Sequence, residues 1–404
     1  MHTIKYSPSN TTINNISTPV YFLRVWFFSL VTQVIIGRIM KQEKIKLYVN
    51  KNTIMPKLSY TALLFPFLGI ILNKNIPYAN KTWKYGFNHQ YFKLIFSVSE
   101  ADYILMPHEY WKLKKKYPNI ISAIISEAKT HGKPILVDAS YDVAGKVKVP
   151  NARILRINQY RFNLPKDEIT VPVPCEDLFE SYCGGELLLR EKKEIPIIGF
   201  VGWGKLSFKQ RMRTIARELP VRIFSIFNKK YKTYRKGVFW RERAIKVFNI
   251  SKKVQTNFII RSSYSGHINT LIGDPEKNRR EFVENILNSD YTLIVRGDAN
   301  AATRFYETLS LGRIPVFIDT ACVLPLEDKI DYKEFCVFID YTDIDKAPDI
   351  LADFHRNIAP EQFIAMQKKA RYIFRHYLRY DAFSKHLVEL LKKEAGDIFQ
   401  KKNF

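Results

Sequence analysis

The apolar residues of this chain fall in short runs, and those at 291–295 and 314–318 lack polar alternation, the pattern of strands covered on both faces. Such runs occupy residues 45–49, 104–106, 135–137, 195–201, 258–261, 291–295 and 314–318. Between them the period lengthens to that of helices. Segment 120–130 carries Ala123, Ile124 and Ala128 on one face, and 278–287 turns Phe282, Ile286 and Leu287 inward. A helix over 303–311 opens at Thr303, a good N-cap, and stops at Gly312, and two more follow over 360–377 and 382–395. Strands alternating with helices predict an α/β chain with parallel sheets. The apolar run 60–72 is too short to cross a bilayer and reads as core.

The strand–loop–helix–strand unit at 289–339 has a chemical purpose. Its loop, 296–302, is rich in Gly, Ala and Asn, which lets a ligand approach the backbone. The helix beyond offers unpaired N–H groups and the positive end of its dipole, for which phosphate is the natural guest. Arg304 and Glu307 stand three apart and share one helix face. They can present a cation to a diphosphate and a carboxylate to ribose hydroxyls, or else pair with each other on the surface.

These residues carry a resemblance. The order Arg304-Phe305-Tyr306-Glu307, then Leu311-Gly312-Arg313-Ile314-Pro315-Val316-Phe317-Ile318, then Leu324-Pro325 and Ile330-Asp331-Tyr332 with Phe335, resembles the signature of the exostosin family of glycosyltransferases. Upstream, Glu100-Ala101-Asp102-Tyr103-Ile104-Leu105-Met106-Pro107 is similar to the family's "EADLFFVP" strand, and Lys166-Asp167 with Val171-Pro172 to its "KDVxIP" linker. The resemblance covers 43–345 and is most specific in its C-terminal motif. It implies a GT-B fold, in which two Rossmann-like domains face a cleft and the C-terminal helices cross back. It also implies a nucleotide-sugar donor, expected to be uridine-linked, a glycan, glycolipid or lipid-linked acceptor, and inversion without a metal cofactor, with a retaining GT-B glycosyltransferase as the alternative. The expected organisation is an extension over 1–42, an acceptor-side domain over 43–190, a donor-binding domain over 191–360, and helices with a basic tail over 361–404.

Donor contacts are expected from Glu307, Arg304, Arg296 and Thr303, supported by Gly202, Lys205 and Arg211 from the loop and helix after the strand at 195–201. The catalytic base is expected from the first domain, where His108, Glu109, Asp138 and Asp142 follow strand ends. Asp138 is preferred because it matches the Asp closing the family's middle strand, with Glu109 next. The loop residues Asp298 and Asn300 depart from the family's more apolar or Gly-rich loop. His267 reads as structural. Asp343-Ile344-Asp345, the only Asp-x-Asp, lies in an acidic turn and reads as solvated rather than as a metal site.

At 404 residues and 46% hydrophobic, the chain is long enough for two full cores. Its net charge of +25 is concentrated: between Lys205 and Arg261 stand 17 Lys and Arg against two acids, with aromatics interleaved. A nucleic-acid or polyanion-binding protein would explain that charge, but no helix-turn-helix, zinc knuckle or RNP motif accompanies it. An anionic membrane or an acidic glycan is the preferred partner. Four cysteines without Cys-x-x-Cys spacing point away from zinc. The apolar segment 20–37 is interrupted by Arg24 and reads as an interfacial helix or a short signal anchor. Peripheral attachment at a cytoplasmic membrane face competes with a Golgi lumen, because four Asn-x-Ser/Thr sequons are present.

Overall fold

The computed structural model describes residues 43–71, 75–143, 145–264 and 266–400, the last seven without their side chains. The apolar segment 20–37 and the tail 401–404 lie outside the described residues. The chain divides into Met1–Lys44 and Ile45–Phe404, and the second unit is the one described.

Two parallel sheets make up this unit, and with the cleft between them they form a GT-B architecture. The first runs β2(Phe92–Ile95)-β1(Ile45–Tyr48)-β3(Tyr103–Leu105)-β4(Ile135–Asp138)-β5(Ala152–Arg156)-β6(Glu168–Thr170). The second runs β11(Val337–Asp340)-β10(Ile314–Asp319)-β9(Tyr291–Ile294)-β7(Ile197–Trp203)-β8(Gln255–Arg261). Every apolar run read as a strand lies in one of these sheets, and β9 and β10 are buried along their whole length. That burial is why their sequences show no alternation. Strands β2, β5, β6 and β11 were not anticipated: all are short, Ala152–Arg156 carries two arginines, Glu168–Thr170 has two polar residues of three, and Val337–Asp340 ends in an aspartate before an acidic turn.

The helices that position the cleft are α1(Tyr110–Lys116), α2(Pro118–Thr130), α3(Phe208–Arg217), α4(Leu219–Phe227), α5(Gly237–Ile250), α6(Pro275–Leu287), α7(Thr303–Ser310), α8(Pro360–Ile373) and α9(Tyr380–Gln400). Helix α9 returns to the first sheet. Tyr103 Oη donates to Leu391 O at 3.0 Å, Asn88 N to Ser384 Oγ at 2.9 Å, and Tyr380 Oη to Pro172 O at 3.0 Å. Phe383, Leu387 and Leu391 are buried beneath these bonds.

Two local readings are corrected. The run 60–72 is core only at its start: Leu63 and Leu64 are fully buried, but the helix Phe65–Leu68 ends at Gly69 and sends Ile70 and Ile71 outward to line the cleft. Thr303 does not cap α7. The cap position is Ala302, which has no side chain to offer, and Thr303 is the first helical residue. Among the described residues no helix is long and apolar enough to cross a membrane.

Candidate functional site

A cleft of about 840 Å³ opens between the carboxyl ends of the two sets of strands, where ligands bind in open α/β sheets. Its first wall comes from the loops after β3 and β4 and carries Glu109, Asp138 and Asp142. Its second wall comes from β7, α5, β8, α6 and the β9–α7 loop, and carries Arg241, Arg261, Arg279, Arg304 and Glu307.

On the first wall, Glu109 is the N-cap of α1. Its two oxygens accept from Trp111 N and Lys112 N, each at 3.0 Å. Burial pushes its carboxyl up to about 7 and nearby Asp138 adds to the rise, against the opposing pull of the two N–H groups. Asp138, at the end of β4, accepts from Thr61 Oγ1 at 2.7 Å and Ser140 N at 3.0 Å. Asp142 also lines the cleft. Its carboxyl is raised by burial and by Asp298 on the opposite wall.

His108 stands apart from this group. It is fully buried, with Met55 N donating to Nε2 at 2.8 Å and Nδ1 bonded to Ser59 O at 3.0 Å. Both ring nitrogens are spent fixing the 53–60 loop. The sequence gives no sign of this, because the partners lie some fifty residues upstream.

On the second wall, α7 brings Thr303, Arg304 and Glu307 to the cleft, and no side chain caps its start, although Phe305 N already donates to Ala302 O at 3.0 Å. The Arg304 guanidinium lies 4.1 Å from the centre of the Phe200 ring and donates to Val201 O. Gly202 is required beside it: its φ of +149° suits glycine, and a Cβ there would stand 2.8 Å from Arg304 Nη2. Arg241 donates to Trp203 O at 2.7 Å and Arg296 O at 3.2 Å. Among the described residues neither arginine bonds a carboxylate, and the Nε of each is buried without a partner. Burial, then the neighbouring Arg241, pulls Arg304 down to about 9, and burial lowers Arg241 as well. Two adjacent guanidinium groups in this state are a site for an anion.

Glu307 does not pair with Arg304. Its Oε1 accepts from Arg279 Nη1 at 2.7 Å, and the same arginine bonds Glu176 Oε2 at 2.8 Å. Arg261 is held by Glu281 at 2.6 Å. Sequence reasoning missed Arg241, Arg261, Arg279 and Glu176. Arg241 and Arg279 sit in charged stretches where nothing distinguishes an inward cation from a solvated one, and Arg261 closes strand β8.

Three expected donor residues point elsewhere. Arg296 is buried and donates to Tyr160 Oη, Thr233 O and Asp298 O, each at 2.7 Å, so it braces loops instead of facing the cleft. Its neighbourhood is tight enough that α5 must begin with Gly237, where a Cβ would meet Gly297 O at 2.2 Å. Arg211 is taken by Glu242, and Lys205 is exposed outside the cleft lining. Asn300 is also a strut, with Asn158 Oδ1 accepting from its backbone N at 2.8 Å and its side chain donating to Gln159 O at 3.0 Å. Asp345 pairs with Arg243 and Asp343 with Lys346, both on the surface.

Residues 230–354 match the Exostosin GT47 domain, from the approach to α5 past β11 and into the helix Ala347–Asn357. Exostosin-1 of Drosophila melanogaster is 32% identical over 102 residues, 25% of this chain and 13% of that protein. The Exostosin-1 homolog of Caenorhabditis elegans is 29% identical over 123 residues, 30% of this chain and 31% of that protein. The chain therefore matches only a fraction of these relatives' length. A solved glycosyltransferase from Rickettsia africae ESF-5 aligns over 87% of this chain and 99% of its own, at 11% identity and a TM-score of 0.33. Over residues 230–354 the chain is thus similar to the exostosin GT47 domain and to these glycosyltransferase relatives.

Proposed function

We propose that the protein is a glycosyltransferase that moves a sugar from a nucleotide diphosphate sugar to a hydroxyl of a glycan acceptor. The observation that carries this reading is the pair Arg241 and Arg304, buried at the cleft wall without a carboxylate and beside the uncapped start of α7. A diphosphate supplies the missing charge, and Glu307 accepts ribose hydroxyls on the same helix face. The opposite wall supplies the base. Glu109 is preferred over Asp138: its basicity is raised toward neutral pH, which suits a group that takes a proton from a hydroxyl.

In one displacement the acceptor oxygen bonds to the anomeric carbon and its proton passes to Glu109. The bond from that carbon to the phosphate oxygen breaks, and its electron pair leaves on the diphosphate between Arg241 and Arg304. Carboxylates on one wall and guanidinium groups on the other suit attack and departure on opposite faces of the sugar, and hence inversion. Neutralisation by arginines and helix amides needs no metal ion.

Thermal stability across a panel of nucleotides and nucleotide sugars tests this, with Arg304→Met beside the wild type. A ligand at about 100 times its dissociation constant stabilises by about 2.7 kcal/mol. The expected result is a shift in wild type that Arg304→Met abolishes, although the unliganded variant is at least as stable. Replacing a buried ionic group by an apolar side chain of similar volume is neutral or stabilising by up to about 1–4 kcal/mol. No shift with any nucleotide, alongside salt-sensitive binding to unrelated oligonucleotides, would overturn the reading.

A further inference from the structure

Away from the cleft, helices α3 and α4 have no buried residue between them, although their sequences are amphipathic. In α3, Phe208, Met212 and Ile215 share one face while Lys209, Arg213 and Arg217 share an adjacent one. In α4, Leu219, Ile223, Ile226 and Phe227 line up at the same spacing. Phe208, Ile226 and Phe227 are 80%, 78% and 83% exposed. An apolar surface of this kind on two consecutive helices signals a partner.

We infer that the α3–α4 pair docks the protein on an anionic lipid bilayer. Charge selects this occupant. Between Lys205 and Lys236 stand 11 Lys and Arg against the single acid Glu218, and that acid is buried, accepting from Arg222 at 3.1 Å and from Lys236 N. The exposed face therefore presents no free negative charge, and a second copy of this chain would set like charges together. An oligonucleotide would engage the cations and leave Leu219, Ile223 and Ile226 in water. Acidic headgroups and acyl chains satisfy both at once, as they do for interfacial helices rimmed with Lys and Arg.

The location fits a docking role. Helix α5 sends Val238 and Arg241 to the cleft. Its Phe239 lies under the guanidinium groups of Arg211 and Arg222, at 5.8 and 5.1 Å, and its Glu242 pairs with Arg211. One helix thus separates the docking face from the cleft, a helix diameter of about 10 Å. A bilayer there could deliver a lipid-borne acceptor, a consequence that rests on the transferase reading.

Vesicle flotation and hydrogen–deuterium exchange on the full chain test the inference, with vesicles of phosphatidylcholine alone or with about 30% phosphatidylglycerol. Residues 208–227 gain exchange protection with the anionic vesicles and not with the neutral ones. The double variant Ile226→Ser/Phe227→Ser, which alters no buried side chain, binds about tenfold more weakly, or about 1.4 kcal/mol. Unchanged exchange in 208–227 while the chain floats would assign attachment to another segment and sink the inference. So would flotation of the variant equal to wild type, or protection of the segment by raised protein concentration without lipid. Nucleotide-induced stabilisation is read on the same samples: if it is absent while lipid binding holds, the transferase reading falls and the docking face stands.

Discussion

On one side of the cleft stand Glu109, Asp138 and Asp142, and on the other Arg241, Arg261, Arg279 and Arg304. Both walls bury charge, but they satisfy it differently. The acids of the first wall are held by short-range donors: Glu109 by the amides of Trp111 and Lys112, Asp138 by Ser140 N and the Thr61 hydroxyl. Each keeps its geometry without a ligand, and burial shows instead as the raised basicity of Glu109. The second wall is divided. Arg261 and Arg279 have carboxylate partners, whereas among the described residues Arg241 and Arg304 hydrogen-bond backbone carbonyls and no carboxylate. One wall carries a carboxyl whose basicity burial raises, the other two buried guanidinium groups that bond no carboxylate among the described residues.

Glu109→Gln tests the first half of that contrast and has the largest expected effect. Loss of a general base lowers kcat by about 10²–10⁴-fold. In wild type, kcat rises as pH passes through about 7, because the base must be deprotonated, and the variant loses that rise. Stability moves the other way. The folded carboxyl is raised from 4.5 to about 7, so the unfolded chain releases this proton first and stability is lost as pH climbs through that window. The loss is on the order of 3 kcal/mol above neutrality. The glutamine avoids it, and its amide oxygen retains part of the cap. The variant is therefore inactive yet more stable than wild type at pH 8 by about 1–2 kcal/mol, after about 1 kcal/mol for the weaker cap. Denaturant unfolding at pH 5 and pH 8 measures this. A variant less stable at both would mean that Glu109 serves α1 alone.

Glu307→Gln sharpens the second half. Arg279 keeps Glu176 at 2.8 Å, so the wall survives with a stability cost of about 1–2 kcal/mol. The neutral amide is a poorer acceptor for ribose hydroxyls, and nucleotide affinity falls about tenfold. A carboxylate that grips donor equally in ground and transition states raises KM and leaves kcat nearly unchanged. Steady-state kinetics separate the cases: a fall in kcat alone would place Glu307 at the reacting centre instead.

The contrast between the walls also explains what could be read in advance. The strands β9 and β10 were legible because burial on both faces leaves mostly apolar runs with no alternation, Tyr291–Ile294 and Ile314–Asp319. Glu109, Asp138, Arg304 and Glu307 were legible because they follow strand ends or share a face of the helix that meets the cleft. Arg296 satisfied the same rule and is a brace, since Tyr160 and Thr233 reach it from distant parts of the chain. Arg241 and Arg279 broke no pattern at all. Each sits in a charged helix whose inward side is set by packing against the second sheet, and one sequence does not encode that orientation locally.

The smallest expected effect concerns the acids that belong to neither wall. Asp343 and Asp345 flank Ile344, which is fully buried, so their own side chains are turned to the surface, where they meet Lys346 and Arg243. Arg243 donates to Asp345 through Nε at 2.7 Å and through Nη2, and the pairing holds the aspartate below the usual carboxylate range. Exposed pairs of this kind contribute about 0–1 kcal/mol. Asp345→Ala therefore shifts stability by about 0.5 kcal/mol or less, and kcat/KM stays within about twofold of wild type. An Asp-x-Asp that held a metal for the donor would behave otherwise, with activity falling by orders of magnitude and a changed response to added divalent cations. Kinetics of this variant with and without a chelator decide the matter. A large loss would move the donor's charge from the Arg241–Arg304 pair to a metal at the end of β11, and with it the division of labour between the two walls.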